Sequence, residues 1–215
     1  NILVGGYVNL ICSPGKFPYL VKIAPDGEVL LDTIYHYFNT PNKTNWIQDI
    51  AATPDGGAYL LATVNYTGDT GDIALIKIDS LGNWQWHQVY DLNPLAFFSR
   101  DVAACVSISQ DGGLIFSGSR SFTNLNSYAY IYKLNPDHSI AWINNENFME
   151  GVGISIVGLS SGDIVVGGSG FPISQYTYID GEIVKLNNEG NTLWKRRYGG
   201  NDDDDASAFS TLRRT

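Results

Sequence analysis

Ala74-Leu-Ile-Lys-Ile-Asp-Ser-Leu-Gly82 is an alternating apolar strand running into a tight turn, and the chain repeats that pattern four times. The other versions are Tyr19-Leu-Val-Lys-Ile-Ala-Pro-Asp-Gly27, Tyr130-Ile-Tyr-Lys-Leu-Asn-Pro-Asp-His138 and Glu182-Ile-Val-Lys-Leu-Asn-Asn-Glu-Gly190. Each lysine is followed nine residues later (31−22, 86−77, 142−133, 194−185) by a large apolar residue: Leu31, Trp86, Trp142 and Trp194. The lysines stand 55 (77−22), 56 (133−77) and 52 (185−133) residues apart. A period of that length built only from strand signals predicts β-propeller blades rather than a helical solenoid.

Working outward from the lysine strand, each repeat parses into four strands, A to D. In the first full unit they are Trp46–Thr53, Ala58–Thr63, Ile73–Asp79 and Trp84–Tyr90. The A–B turn is Asp55-Gly56-Gly57, which returns as Asp111-Gly112-Gly113 and in altered form as Ser161-Gly162-Asp163. Glycines there are expected to supply the positive φ of a tight hairpin. The ends complete the scheme. Ile2-Leu-Val-Gly-Gly6 matches the B strand Ile164-Val-Val-Gly-Gly168, and Ala206-Ser-Ala-Phe-Ser-Thr-Leu212 matches an A strand. The expected domain is therefore one all-β propeller over residues 1–215 with four repeats of four antiparallel strands. Its blades are 45–90, 101–144, 151–198, and a fourth made of B–D from 1–36 with A from 205–215. Such joining removes exposed sheet edges. An excerpt cut in the same phase from a larger propeller would read identically, so both arrangements stay open.

Composition excludes some function classes. A net charge of −9 with only 13 lysines and arginines is a poor match to nucleic acid. No apolar run approaches the length of a membrane helix, so the chain is not expected to be membrane-embedded. Two cysteines, Cys12 and Cys105, make no disulfide framework, and Cys105 is expected in an inner strand as a small apolar residue. Beginning at Asn1, the chain reads as a processed product or a fragment. Asn42-Lys-Thr44 and Asn65-Tyr-Thr67 are glycosylation sequons in expected loops.

The run Tyr198-Gly-Gly-Asn-Asp-Asp-Asp-Asp205, followed by an alternating strand, Asp-Gly-Gly, the lysine strand and Gly-Asn-x-x-Trp, resembles the bacterial secreted β-propeller repeat family. Leu31 in place of tryptophan, His138 in place of glycine and Ser161-Gly-Asp163 are departures from that pattern. The resemblance implies an extracellular or cell-surface setting and carries no shared catalytic residues.

The parse puts the short A–B and C–D turns on one face and the long B–C and D–A loops on the other, where binding is normally carried. Aromatic residues crowd the long loops, and Tyr66, Phe97, Phe98, Phe122, Phe171, Tyr176 and Tyr178 are the ligand candidates. Rings there give a sugar- or protein-binding surface, or else pack the loops onto the blades. Trp86, Trp142 and Trp194, like Gly56, Gly57, Gly112 and Gly113, recur at fixed repeat positions and read as structural; Trp46 and Trp84 fall outside that register. The lysines Lys22, Lys77, Lys133 and Lys185 are expected to pack their stems and pair or hydrate their ammonium groups. No cofactor is expected. Calcium is the one metal with any candidate ligands, in the acidic run Asp202, Asp203, Asp204 and Asp205, which lacks alternating ligand spacing. Asp101 and Asp205 occupy one repeat position, with Asn45 and Gly151 in the other blades, and are expected to bond loop backbone near the channel mouth. His36, His87 and His138 are too scattered for a metal triad or a nucleophile pair.

The resulting expectation is a non-enzymatic module that binds other proteins of a surface or secreted assembly. A carbohydrate-binding, lectin-like module is the alternative, and a polysaccharide-active enzyme the third.

Overall fold

The computed structural model describes residues 1–10, 15–37, 43–67, 70–90, 99–122, 127–144, 151–170 and 180–200, with backbone alone at 99, 122, 127 and 151–154. Among them all regular structure is β. The chain divides into two units, Asn1–Ala103 and Ala104–Thr215.

Unit 1 holds β1 (Ile2–Asn9), β2 (Lys16–Ile23), β3 (Val29–Ile34), β4 (Thr44–Ala52), β5 (Ala58–Tyr66), β6 (Asp72–Ile78) and β7 (Trp84–Tyr90). The first three form one antiparallel meander and the last four another. A single parallel pair, Lys16 with Thr44, joins them into one seven-stranded sheet. The meanders pack through Leu20 and Tyr35 on one side and Ile47, Leu60, Ala62, Ile76 and Ile78 on the other. Strand β6 is buried along nearly its whole length, whereas β7 alternates or faces solvent. That contrast is the signature of an inner against an outer strand. Each fully buried leucine or isoleucine contributes about 1.5–3 kcal/mol.

Unit 2 holds β9 (Leu114–Phe122), β10 (Ser127–Leu134), β11 (Ile140–Asn144), β12 (Gly151–Gly158), β13 (Ile164–Gly170), β14 (Asp180–Leu186) and β15 (Thr192–Tyr198). The division between units falls within β8 (Ser99–Ile108), which is the fourth strand of the sheet β11-β10-β9-β8. The second sheet runs β12-β13-β14-β15. Ile115, Ala129 and Ile131 of the first sheet meet Ile156, Ile164, Val166, Val184 and Leu186 of the second. Cys105 is partly buried against this core, its thiol 3.9 Å from Ile156 O.

Every A-to-D strand within the described residues therefore exists, in its expected order, with bounds moved by up to three residues. The meanders have three, four, four and four strands, the first two of them joined in one sheet. A closed four-by-four ring goes beyond this, because residues 205–215 lie outside the described residues.

The short turns share one design. In each, the residue closing the incoming strand exchanges backbone bonds with residues three and four positions on, as Ser109 does with Gly112 and Gly113. This is a type I turn followed by one left-handed residue. That residue is Gly27, Gly56, Gly82, Gly112, Gly162 and Gly190, but His138 (φ 67°) in the seventh. The second glycine of Asp-Gly-Gly has a different reason from the expected positive φ. A Cβ at Gly113 would lie 2.1 Å from Leu134 O, and one at Gly57 2.3 Å from Ile78 O.

The repeated lysines pair with these turns. Lys77 Nζ reaches Asp55 at 3.3 Å, Lys133 reaches Asp111 at 2.7 Å and Lys185 reaches Asp163 at 2.7 Å. Lys133 also donates to Ser109 Oγ at 2.9 Å, which lets its ammonium be only 2% exposed. The meander β1–β3 has no described A–B turn, and Lys22 donates instead to Ser80 O at 2.6 Å. Trp142 covers the flat face of Gly190 and donates to Asn188 O at 2.7 Å, fixing one sheet on the next. Leu31 takes the equivalent place over Gly82. Trp86 packs against Tyr59 at 6.0 Å, and Trp194 remains 38% exposed.

Candidate functional site

Strand alternation brings the start of β4, the end of β5, the start of β6 and the start of β8 to the long-loop end of unit 1. Four separate stretches of sequence meet there. Trp46 and Tyr66, both half-buried, pack edge to face with ring centroids 5.3 Å apart and planes at 74°. Such a pair contributes about 0.5–1.5 kcal/mol beyond its buried area. Trp46 Nε1 donates to Gln48 Oε1 at 2.9 Å, and Arg100 Nη1 reaches Tyr66 Oη at 3.4 Å. A Cβ at Gly71 would stand 3.1 Å from Tyr66 Cδ2 and 3.0 Å from Asp101 O, so glycine is what lets this ring and this strand close up.

The polar frame is tied to backbone. Asn45 is 1% exposed; its Nδ2 donates to Lys16 O at 3.3 Å and its Oδ1 accepts from Asn65 N at 2.8 Å. Both partners lie at strand ends, Lys16 opening β2 and Asn65 near the close of β5, rather than in the loops expected to be bonded from this repeat position. Asn65 sits in the left-handed region (φ 57°), a costly conformation for a residue with a Cβ, and donates from Nδ2 to Asp72 Oδ2 at 3.1 Å. Glycosylation at Asn65 would break that bond; the Asn42 sequon begins outside the described residues. Gly71 and Arg100 form a parallel bridge, and Asp101 N donates to Gly71 O at 3.0 Å. Asp72 and Asp101 follow these two residues in sequence, the first half-buried and the second fully buried.

Of the ligand candidates, Tyr66 belongs to this cluster. Phe97, Phe98, Phe171, Tyr176 and Tyr178 lie outside the described residues, as do Asp202, Asp203, Asp204 and Asp205, and Phe122 is described by its backbone alone. Among the described residues no group of three or more His, Cys, Asp or Glu is placed to hold a metal. Trp46, Arg100, Gln48, Asn65 and Asp72 were not legible as a site from sequence. The one signal was Trp46 itself, an aromatic outside the repeat register and so unexplained by repeat packing. A second aromatic group, Tyr37 stacked on Trp84 at 4.3 Å, joins the core through Trp84.

No family model matches the chain, and no curated protein matches it. Among solved structures it is similar to a thermostable family-43 glycoside hydrolase (14% identity over 94% of this chain and 74% of that one, TM-score 0.49). It is also similar to the endo-arabinase from Bacteroides thetaiotaomicron (13%, 87% and 75%, 0.43) and to the periplasmic gluconolactonase of Pseudomonas aeruginosa (12%, 94% and 68%, 0.44). At these values the likeness is one of all-β fold and assigns no residue a role. The sequence expectation of a non-enzymatic, protein-binding module is corrected here, since each of these neighbours is an enzyme by name.

Proposed function

We propose that the chain is a carbohydrate-active protein that takes a glycan at the Trp46–Tyr66 cluster. The observation carrying this reading is the edge-to-face ring pair framed by Gln48, Asn65, Arg100 and Asp72. The ring pair offers an apolar surface to the C–H face of a sugar. The amides, the guanidinium and the carboxylate offer donors and acceptors to its hydroxyls. Asp72 is the carboxylate such a sugar would meet.

The test is a panel of plant and bacterial polysaccharides, scored for retardation in affinity electrophoresis and for release of reducing ends. One polysaccharide class should retard the protein and be cut. Tyr66→Ala should abolish both effects, and Asp72→Asn should keep retardation while losing cleavage. Absence of both binding and cleavage across the panel contradicts the reading.

The four meanders are proposed as propeller blades, with residues 206–212 supplying the inner strand beside β1. Support comes from the lysine spacing and from β1, which pairs only with β2 among the described residues. The resemblance of the repeats and a glycan substrate both favour an extracellular or cell-surface setting. Hydrogen exchange tests the closure: deleting 206–215 should expose the Ile2–Asn9 amides, and unchanged protection would refute it.

A further inference from the structure

Asp72 stands five residues ahead of Lys77 (77−72), and the same position ahead of Lys185 (185−180) is Asp180; the other two repeats carry Phe17 and Tyr128 there. Asp180 begins β14, and Glu182 follows on the same face because strand side chains alternate. On β15, Arg197 lies opposite Glu182 and Lys195 opposite Val184, which puts both cations on that face as well. Glu182 is fully buried. Lys195 Nζ lies 2.6 Å from its Oε1 and Arg197 Nη2 lies 3.8 Å away. Nevertheless, among the described residues, both Glu182 oxygens and Asp180 Oδ1 are buried with no hydrogen-bond donor. The lysine supplies charge at Oε1 without the direction of a hydrogen bond, and no described residue supplies a donor to Oε2. Buried carboxylate oxygens left in that state are costly and ask for donors.

The charge count decides which donors fit. Two carboxylates and two cations sum to zero, so a metal ion would meet Lys195 and Arg197 with no net attraction. A neutral group that donates to the carboxylates while accepting from the ammonium and guanidinium fits both halves, and vicinal hydroxyls do this. Lys195 and Arg197 keep 36% and 27% of their side chains in solvent, so the group opens outward through them. We propose that Asp180, Glu182, Lys195 and Arg197 form a second, hydroxyl-reading carbohydrate site, the repeat counterpart in unit 2 of the Asp72 site. It rests on the carbohydrate reading of the first site and makes the chain bivalent.

The test is an amide and indole NMR titration of the intact chain with methyl glycosides of arabinose, xylose, galactose and glucose at millimolar concentration. Two groups of signals should move with one sugar: Trp46 with Tyr66, and Glu182–Val184 with Lys195–Arg197. Asp180→Asn should weaken the second group's affinity at least tenfold and leave the first unchanged. Glu182→Gln should do the same, and Asp180→Asn keeps the test decisive if Glu182→Gln does not fold. Movement confined to Trp46 and Tyr66 overturns this inference and leaves the first site standing. Silence at both overturns both. Saturable movement of the second group with calcium chloride, but with none of the glycosides, also overturns it.

Discussion

Replacing Gly190 by alanine should destabilise unit 2 by about 2–4 kcal/mol, whereas the same change at Gly112 should cost about 1–2 kcal/mol. Both glycines are left-handed, at φ 84° and φ 81°, so the backbone strain of adding a Cβ is the same at each. Their surroundings differ. Nothing lies within 4 Å of a Cβ at Gly112, but at Gly190 it would lie 2.9 Å from Trp142 Cδ2 and Cε3 and 3.1 Å from Cε2. The indole has to move, which strains or breaks its bond to Asn188 O (2.7 Å) and disturbs Asn144 Nδ2 on Gly190 O (3.0 Å). Each such bond is worth about 1 kcal/mol net, and that sum sets the gap between the variants. Urea unfolding measures it. With a slope of about 1–3 kcal/mol/M, the two midpoints should differ by roughly 0.7–2 M at unchanged slope. A Trp142→Ala background should erase most of the difference, since the coupling lies between those two residues. Equal midpoints for the two alanine variants would refute the claim that Trp142 over Gly190 fixes one sheet on the next.

Acid should weaken the fold through the three turn aspartates. The Thr53 hydroxyl above all, then the Gly57 N–H and Lys77, bring Asp55 down to about 2. Burial raises Asp111, but Lys133, the Ser109 hydroxyl and the Gly113 N–H outweigh it and leave it at about 2. Lys185 and Ser161 lower Asp163. An unfolded aspartate titrates near 3.9, so this stabilisation is complete above about pH 4 and drains as pH falls toward 2. Melting temperature against pH should fall across that window, less steeply in Lys133→Met; a flat profile between pH 5 and 2 would contradict the pairing. His138→Gly should raise stability by about 0.5 kcal/mol, because relief of left-handed strain exceeds the entropic cost of glycine, and a lower melting temperature would refute this. Adding millimolar calcium is expected to leave the melting temperature unchanged. A rise of several degrees would make Asp202–Asp205 a cation site.

The fold was legible because its determinants are local and repeated. Strand alternation around Lys22, Lys77, Lys133 and Lys185 and the left-handed glycines recur at one spacing, so each repeat corroborates the next. The partners of those lysines were less legible: Asp55, Asp111 and Asp163 lie 22 residues upstream (77−55, 133−111, 185−163), across two strands. The site was legible only at Tyr66. Its other members come from four strand ends and meet through the Gly71–Arg100 bridge, a lateral register that no local pattern encodes. Glu182 carried a signal of another kind. It stands where the other repeats have Tyr19, Ala74 and Tyr130, and a carboxylate at a position otherwise apolar or aromatic demands partners of its own.

The most direct test of the central claim is a crystal structure of the chain with an oligosaccharide from the polysaccharide it retards most strongly. The account predicts a sugar ring against Trp46 and Tyr66 with hydroxyls on Asp72 and Arg100. A glycan bound elsewhere, with that cluster untouched, would contradict it.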